Sequence, residues 1–143
     1  MNRRRVRSSL VVAYSRAEYC VILPRGELIM RVDRRSGAND GRLRREAGVR
    51  RSWAIVTACN PGSVQFHAAT NAGRLELLEA AVADSGLEGV PSVNRDPSRL
   101  WPDEPGILLC DPAPGQAEAI GRQFGQSAIV AGVLGKAPQL VWL

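Results

Sequence analysis

Five polar side chains in this 143-residue chain sit where a plain scaffold does not need them: Asn60, Asn71, Arg74, Glu104 and Gln126. Asn60 lies in Thr57-Ala-Cys-Asn-Pro-Gly-Ser63, where Pro61 and Gly62 suit the two central positions of a type II turn and the asparagine can bond forward to the backbone. The segment is therefore either a structural turn or a turn that presents polar groups at a strand end. Asn71 is a good helix N-cap, yet three residues on stands Arg74, where a capping box carries Glu or Gln and where a cation opposes the helix dipole. Spacing to Leu77, Leu78 and Ala81 turns that arginine toward an apolar stripe, so it calls for an anionic partner. One partner is Glu104, held between prolines in Trp101-Pro-Asp-Glu-Pro105, which would make an internal ion pair. The other is a phosphate or carboxylate ligand bound by Arg74 together with the helix N-terminus.

Glu104 is the candidate general acid or base, being the one carboxylate fixed in a rigid turn near these groups. Gln126 follows Gly125 at the start of a strand and either presents its amide at the same edge or satisfies buried backbone groups. His67, the only histidine, lies near Cys59 in sequence, but a Cys-His nucleophile pair conflicts with the apolar setting of that cysteine. Cys20, Cys59 and Cys110 are odd in number and widely spaced, which gives neither a disulfide framework nor a zinc ribbon and suits a reducing cytoplasm. With no P-loop, HExxH, GxSxG or dinucleotide fingerprint, no metal and no cofactor are expected.

Charge supplies a competing location for function. The chain is net +5, but residues 1–51 hold 14 arginines against five acids, a balance of +9, whereas residues 52–143 balance at −4. Such asymmetry suits a polyanion partner, with Arg31, Arg34, Arg35, Arg42, Arg44 and Arg45 as candidate nucleic-acid contacts. No aromatic residue interleaves with them, so the stacking platform of single-strand binders is missing. The same arginines also read as the solvated side of a short helix capped by Asp40 and Gly48.

At 45% hydrophobic and 23% charged residues the composition is that of one globular domain, and no apolar run is long enough to span a bilayer. Residues 1–12 read as a basic flexible arm whose apolar stretch, Leu10 to Tyr14, is too short for a signal peptide, so the expected location is the cytoplasm. Residues 13–143 read as a single α+β domain. A hairpin turns at Pro24-Arg25-Gly26; a short helix follows; Trp53 to Cys59 is a strand apolar on both faces and hence central. Asn71 to Ser85 is the clearest helix, Gly89 to Pro105 a loop, Gly106 to Cys110 a strand, and Pro114 to Gly125 a helix. Two strands close the chain. The order β-β-α-β-α-β-α-β-β predicts a mixed sheet with about three helices packed on it.

Taken together, Tyr14-Ser-Arg-Ala-Glu-Tyr19, Ser52 to Ser63, Asn71-Ala-Gly-Arg-Leu75, Trp101 to Pro105 and Phe124-Gly-Gln-Ser-Ala-Ile-Val130 resemble a bacterial family named domain of unknown function 3293. The resemblance implies a compact single domain and carries no activity. The arginine-rich N-terminus departs from it. The pieces that carry it include all five awkward polar residues. The leading expectation is a cleft at the strand ends that binds a small anionic ligand through Asn60, Asn71, Arg74 and Gln126; whether it is an enzyme is left open. The alternatives are a nucleic-acid-associated accessory protein and a protein-interaction module without ligand. The sequence assigns no oligomeric state.

Overall fold

A computed structural model describes residues 3–143. Its elements are α1 (Arg3–Arg16), β1 (Glu18–Leu23), β2 (Gly26–Met30), α2 (Gly37–Arg42), β3 (Ser52–Thr57), α3 (Ala68–Asp84), β4 (Gly89–Arg95), β5 (Glu104–Cys110), α4 (Gln116–Gln123), β6 (Ala128–Val133) and β7 (Gln139–Trp142). The seven strands form one sheet in the order β2-β1-β4-β5-β3-β6-β7, and every neighbouring pair is antiparallel.

The α+β class is as the sequence implies, but the expected mixed sheet and three helices give way to an antiparallel sheet with four α-helices among the described residues. The cause is β4, which the Pro-, Asn- and Asp-rich composition disguises as loop. Pro91 is accommodated because β1 pairs with β4 only from Ser92 to Arg95, so the missing N–H lies beyond that ladder. With β4 in place, β3-α3-β4-β5-α4-β6 is two split crossovers: β5 lies between β3 and β4, and β3 between β5 and β6. This inner order is the ferredoxin-like one. The β1–β2 hairpin extends the sheet beside β4, and β7 extends it beside β6.

Two apolar layers clamp the sheet. Leu78 and Val82 of α3 and Ala117, Ile120 and Phe124 around α4 cover Ala54, Val56, Ile107, Leu109 and Ile129. On the other face Tyr19, Val21, Leu28, Met30, Trp53, Ile55, Leu108 and Val130 close on Leu43 and Val49. Thus β3 and β5 are buried on both sides, as the apolar reading of β3 requires. Trp53 lies flat over Gly132, where any Cβ would enter the indole ring.

Several boundaries move for capping reasons. Ser36, not Asp40, caps α2, its Oγ accepting from Asn39 N at 3.2 Å. One π-helical turn, Leu43–Ala47, continues that helix to Gly48, which has the expected left-handed conformation. The α1 helix crosses the expected boundary between residues 12 and 13 and docks by its last turn: the Tyr14 ring packs edge-on against Trp142 at 5.7 Å, and Tyr19 Oη donates to Tyr14 O at 2.7 Å. Among the described residues no helix is long and apolar enough to cross a membrane.

Candidate functional site

All five polar residues meet at one end of the sheet, where β3 ends and β5 and β6 begin. The strand β3 carries the chain directly into a tight turn in which Asn60, Gly62 and Ser63 all have left-handed backbone conformations. Glycine adopts that region freely and asparagine tolerates it better than most residues, so the strain of the turn falls mainly on Ser63. A Gly62 N bond to Gly125 O at 2.7 Å fastens the turn to the segment after α4, and the Cβ of any residue at 125 would press on Pro61.

Asn60 is 4% exposed and spends its polar atoms inside the cluster. Its N–H donates to Asn71 Oδ1 at 3.0 Å, and its Oδ1 accepts from Phe66 N at 2.8 Å and Asn71 Nδ2 at 2.9 Å. Its Nδ2 donates to Glu104 Oε1 at 3.0 Å. Asn71 is therefore no N-cap: α3 starts at Ala68 after His67, and Asn71 reaches back from the end of the first turn. Arg74 follows in the second turn, away from the helix N-terminus, so the expected joint anion site of Arg74 and the first helical amides is not formed.

The expected Arg74–Glu104 ion pair is not formed either; Arg74 pairs with no carboxylate among the described residues. Arg74 Nε donates to Ala58 O at 2.6 Å and Nη2 to Phe124 O at 2.5 Å, which ties the end of β3 to the end of α4. These carbonyls satisfy part of a half-buried guanidinium; Nη1 makes no hydrogen bond among the described residues and touches solvent. Gln126 reinforces the tie: its Nε2 donates to Cys59 O at 3.1 Å and Phe124 O at 3.3 Å. That is the backbone-satisfying role open to it from the sequence.

Glu104 begins β5 with its carboxylate facing Asn60 and Trp101. Oε1 accepts from Asn60 Nδ2 and from the Trp101 indole N–H, while Oε2 has no partner among the described residues. Burial pushes its ionisation above the usual glutamate range, and the Asn60 and Trp101 donors only partly oppose this. A carboxyl raised by burial is shifted in the direction that suits a general acid. Tyr19 faces it from β1: burial, then Tyr14 and Glu104, push that hydroxyl well above the ordinary tyrosine range.

Sequence reasoning missed three parts of this region. Trp101 reaches Glu104 through its indole, for which the Trp-Pro-Asp-Glu-Pro spacing was the available signal. Tyr14 Oη, Ser63 Oγ and Ser127 Oγ form a hydroxyl chain, with links of 2.7 and 2.8 Å, that joins α1, the turn and the residue before β6. Asn94 of β4 lies directly opposite both Glu104 and Tyr19 in the ladders.

The remaining candidates are not drawn in. Cys59 is buried, its Sγ directed at Pro105 O at 3.5 Å, and burial raises its thiol above the ordinary range, the opposite of a nucleophile's tuning; His67 is exposed. No group of metal-ligating side chains occurs among the described residues. At the basic stretch, Arg42 is engaged by Glu46 at 2.6 Å and by Gly26 O at 2.8 Å, and Arg31 stands 3.8 Å from Glu18. Arg34, Arg35, Arg44 and Arg45 remain exposed.

No curated protein and no solved structure matches the chain. A family model described as "Protein of unknown function (DUF3293)" matches residues 56–129, a span that holds Asn60, Asn71, Arg74, Glu104 and Gln126 and leaves the basic stretch outside. The match covers more than half of the sequence, and the chain belongs to that family of proteins of unknown function.

Proposed function

We propose that the end of the sheet around Asn60 binds a small anionic ligand, a phosphate- or carboxylate-bearing molecule, with Arg74 as its cation and Glu104 as the group able to exchange a proton with it. One observation carries the reading: a half-buried arginine and a half-buried glutamate occupy the same end of the sheet without pairing. A purely structural arrangement would bring them together, because two separately desolvated charges cost more than a paired one. Here Asn60 and Trp101 hold the carboxylate by one oxygen, and two main-chain carbonyls hold the guanidinium by two of its nitrogens. Each charge keeps an unspent atom. Asn71 and Gln126 act on the ligand through the turn and carbonyls they fix.

Native mass spectrometry of gently purified protein tests this. Wild type is expected to retain a low-mass anion that is lost from Arg74→Met while the variant keeps its circular dichroism spectrum. Bare wild-type protein, or a ligand retained equally by Arg74→Met, would overturn the reading. Bound nucleic acid removable by salt would transfer function to the basic stretch.

A further inference from the structure

The end of the sheet away from Asn60 gathers cations. The ladders tie the start of β1 to the Glu104 end, Tyr19 standing opposite Asn94 and Asn94 opposite Glu104, so the turn that joins β1 to β2 falls at the far end. There Arg25 of that turn, Arg42 at the end of α2, and Arg45 and Glu46 of the π-helical turn line one cavity of about 350 Å³. Such π-helical turns are rare and recur at functional sites. Arg42 and Glu46 brace the walls. Arg42 donates through Nε to Glu46 Oε2 at 2.6 Å, through Nη2 to Glu46 Oε1 at 3.3 Å and Gly26 O at 2.8 Å, and through Nη1 to Glu27 O at 3.2 Å. Glu46 Oε1 also accepts from Arg25 N at 3.1 Å. These bonds fasten the helix to the hairpin and occupy both oxygens of the one carboxylate in the cavity.

The brace does not use the side chains of Arg25 and Arg45. Both residues are exposed, and neither guanidinium makes an ion pair or hydrogen bond among the described residues. Arg45 is folded back over Gly41, where a Cβ would stand 2.9 Å from its Nη1. Three arginines against one glutamate give the cavity lining a charge of +2. Like charges brought together in this way repel unless an anion sits between them. We propose that this cavity binds the phosphate group of a small phosphate monoester, Arg25 and Arg45 clasping its oxygens while Arg42 and Glu46 hold the walls. A monoester carries about two negative charges at neutral pH, which matches the lining, and the guanidinium fork suits its oxygens. A phosphodiester chain brings a single charge per phosphate, and no aromatic side chain lines the cavity for a base to stack on. This site is separate from the one around Asn60 and does not depend on it.

Calorimetric titration with inorganic phosphate, ribose 5-phosphate, ribose and a duplex DNA without terminal phosphates tests this. Ribose 5-phosphate is expected to bind wild type and Arg74→Met alike, and ribose to bind neither. Arg25→Gln and Arg45→Gln change exposed side chains outside the brace, so their thermal melting is expected to match wild type. Each is expected to weaken ribose 5-phosphate at least about fivefold, because each removes charge-assisted donors. Binding is expected to tighten as pH rises through about 6, where the second phosphate proton leaves; the arginines keep their charge, and Glu46 stays ionised because Arg42 holds its carboxyl below the usual range. Binding of neither phosphate probe to wild type would overturn the proposal, as would binding unchanged in both glutamine variants. Loss of binding in Arg74→Met would overturn it by placing the phosphate at the Asn60 end. Duplex bound more tightly than the monoester, with affinity falling steeply in salt, would overturn it too and make these arginines a general polyanion surface.

Discussion

Replacing Asn60 is the sharpest stability test of how the site is held. Its side chain makes three partly buried hydrogen bonds, to Phe66 N, Asn71 Nδ2 and Glu104 Oε1, on a left-handed backbone. Asn60→Ala removes all three at about 1 kcal/mol net each. Alanine in the left-handed region adds about 1 kcal/mol of steric cost, for a total of about 4 kcal/mol. Asn60→Gly loses the same bonds without the steric cost, and the expected loss is about 3 kcal/mol. Asn60→Asp keeps the acceptor but sets a second carboxylate against Glu104, so its loss grows as pH rises. Urea unfolding followed by tryptophan fluorescence reads all three, with the m value unchanged because the fold is unchanged. A loss below about 1 kcal/mol in Asn60→Ala, or a glycine variant less stable than the alanine one, would refute the reasoning.

Other parts of the account make separate predictions. Because Glu104 is held above its ordinary range, the folded state binds its proton more tightly than the unfolded chain does. Its contribution is therefore fully present below the ordinary glutamate range and is lost as pH rises through the raised folded value; Glu104→Gln should flatten that slope in urea midpoints taken across pH, and an unchanged slope would contradict it. Asp111 behaves oppositely: burial raises its ionisation, but bonds from the N–H groups of Ser52, Arg50 and Arg51 outweigh that and leave it below the usual range. Its contribution holds above the ordinary aspartate range and is lost as pH falls through the depressed value, so Asp111→Ala should lower the melting temperature at neutral pH and much less in acid. Gly132→Val drives a branched side chain into the Trp53 ring and should cost about 3 kcal/mol or more, or prevent folding, as read by soluble yield and thermal melting. Arg74→Lys cannot reach Ala58 O and Phe124 O with two planar donors and should lower stability by about 1–2 kcal/mol in urea unfolding; no loss would contradict the tie.

The legibility of this chain followed the strength of its local patterns. The β1–β2 hairpin, the doubly buried β3 and the apolar stripe of α3 announce themselves through Pro-Gly punctuation and periodicity. Strand β4 does not, because Pro91 and Asn94 within it and Asp96 just beyond it carry turn chemistry, and its place is set by pairing on both sides. Losing that one strand changed the inferred sheet from antiparallel to mixed. The site was legible as a set of residues out of place: Asn60, Asn71, Arg74, Glu104 and Gln126 do converge. Their partners were not legible. Main-chain carbonyls satisfy Arg74 and Gln126, and a sequence does not show which carbonyls a fold leaves open at the ends of β3 and α4.

The central claim is that Arg74 and Glu104 stand at one end of the sheet as two separate, open charges. Carboxyl-carbon NMR of glutamate-labelled protein, titrated with pH and assigned through Glu104→Gln, tests it most directly. The account predicts a Glu104 midpoint above the ordinary glutamate range in the ligand-free protein, changed little by Arg74→Met. A midpoint at or below that range, rising when Arg74 is replaced, would show that the two groups pair and would remove the ground for a ligand between them.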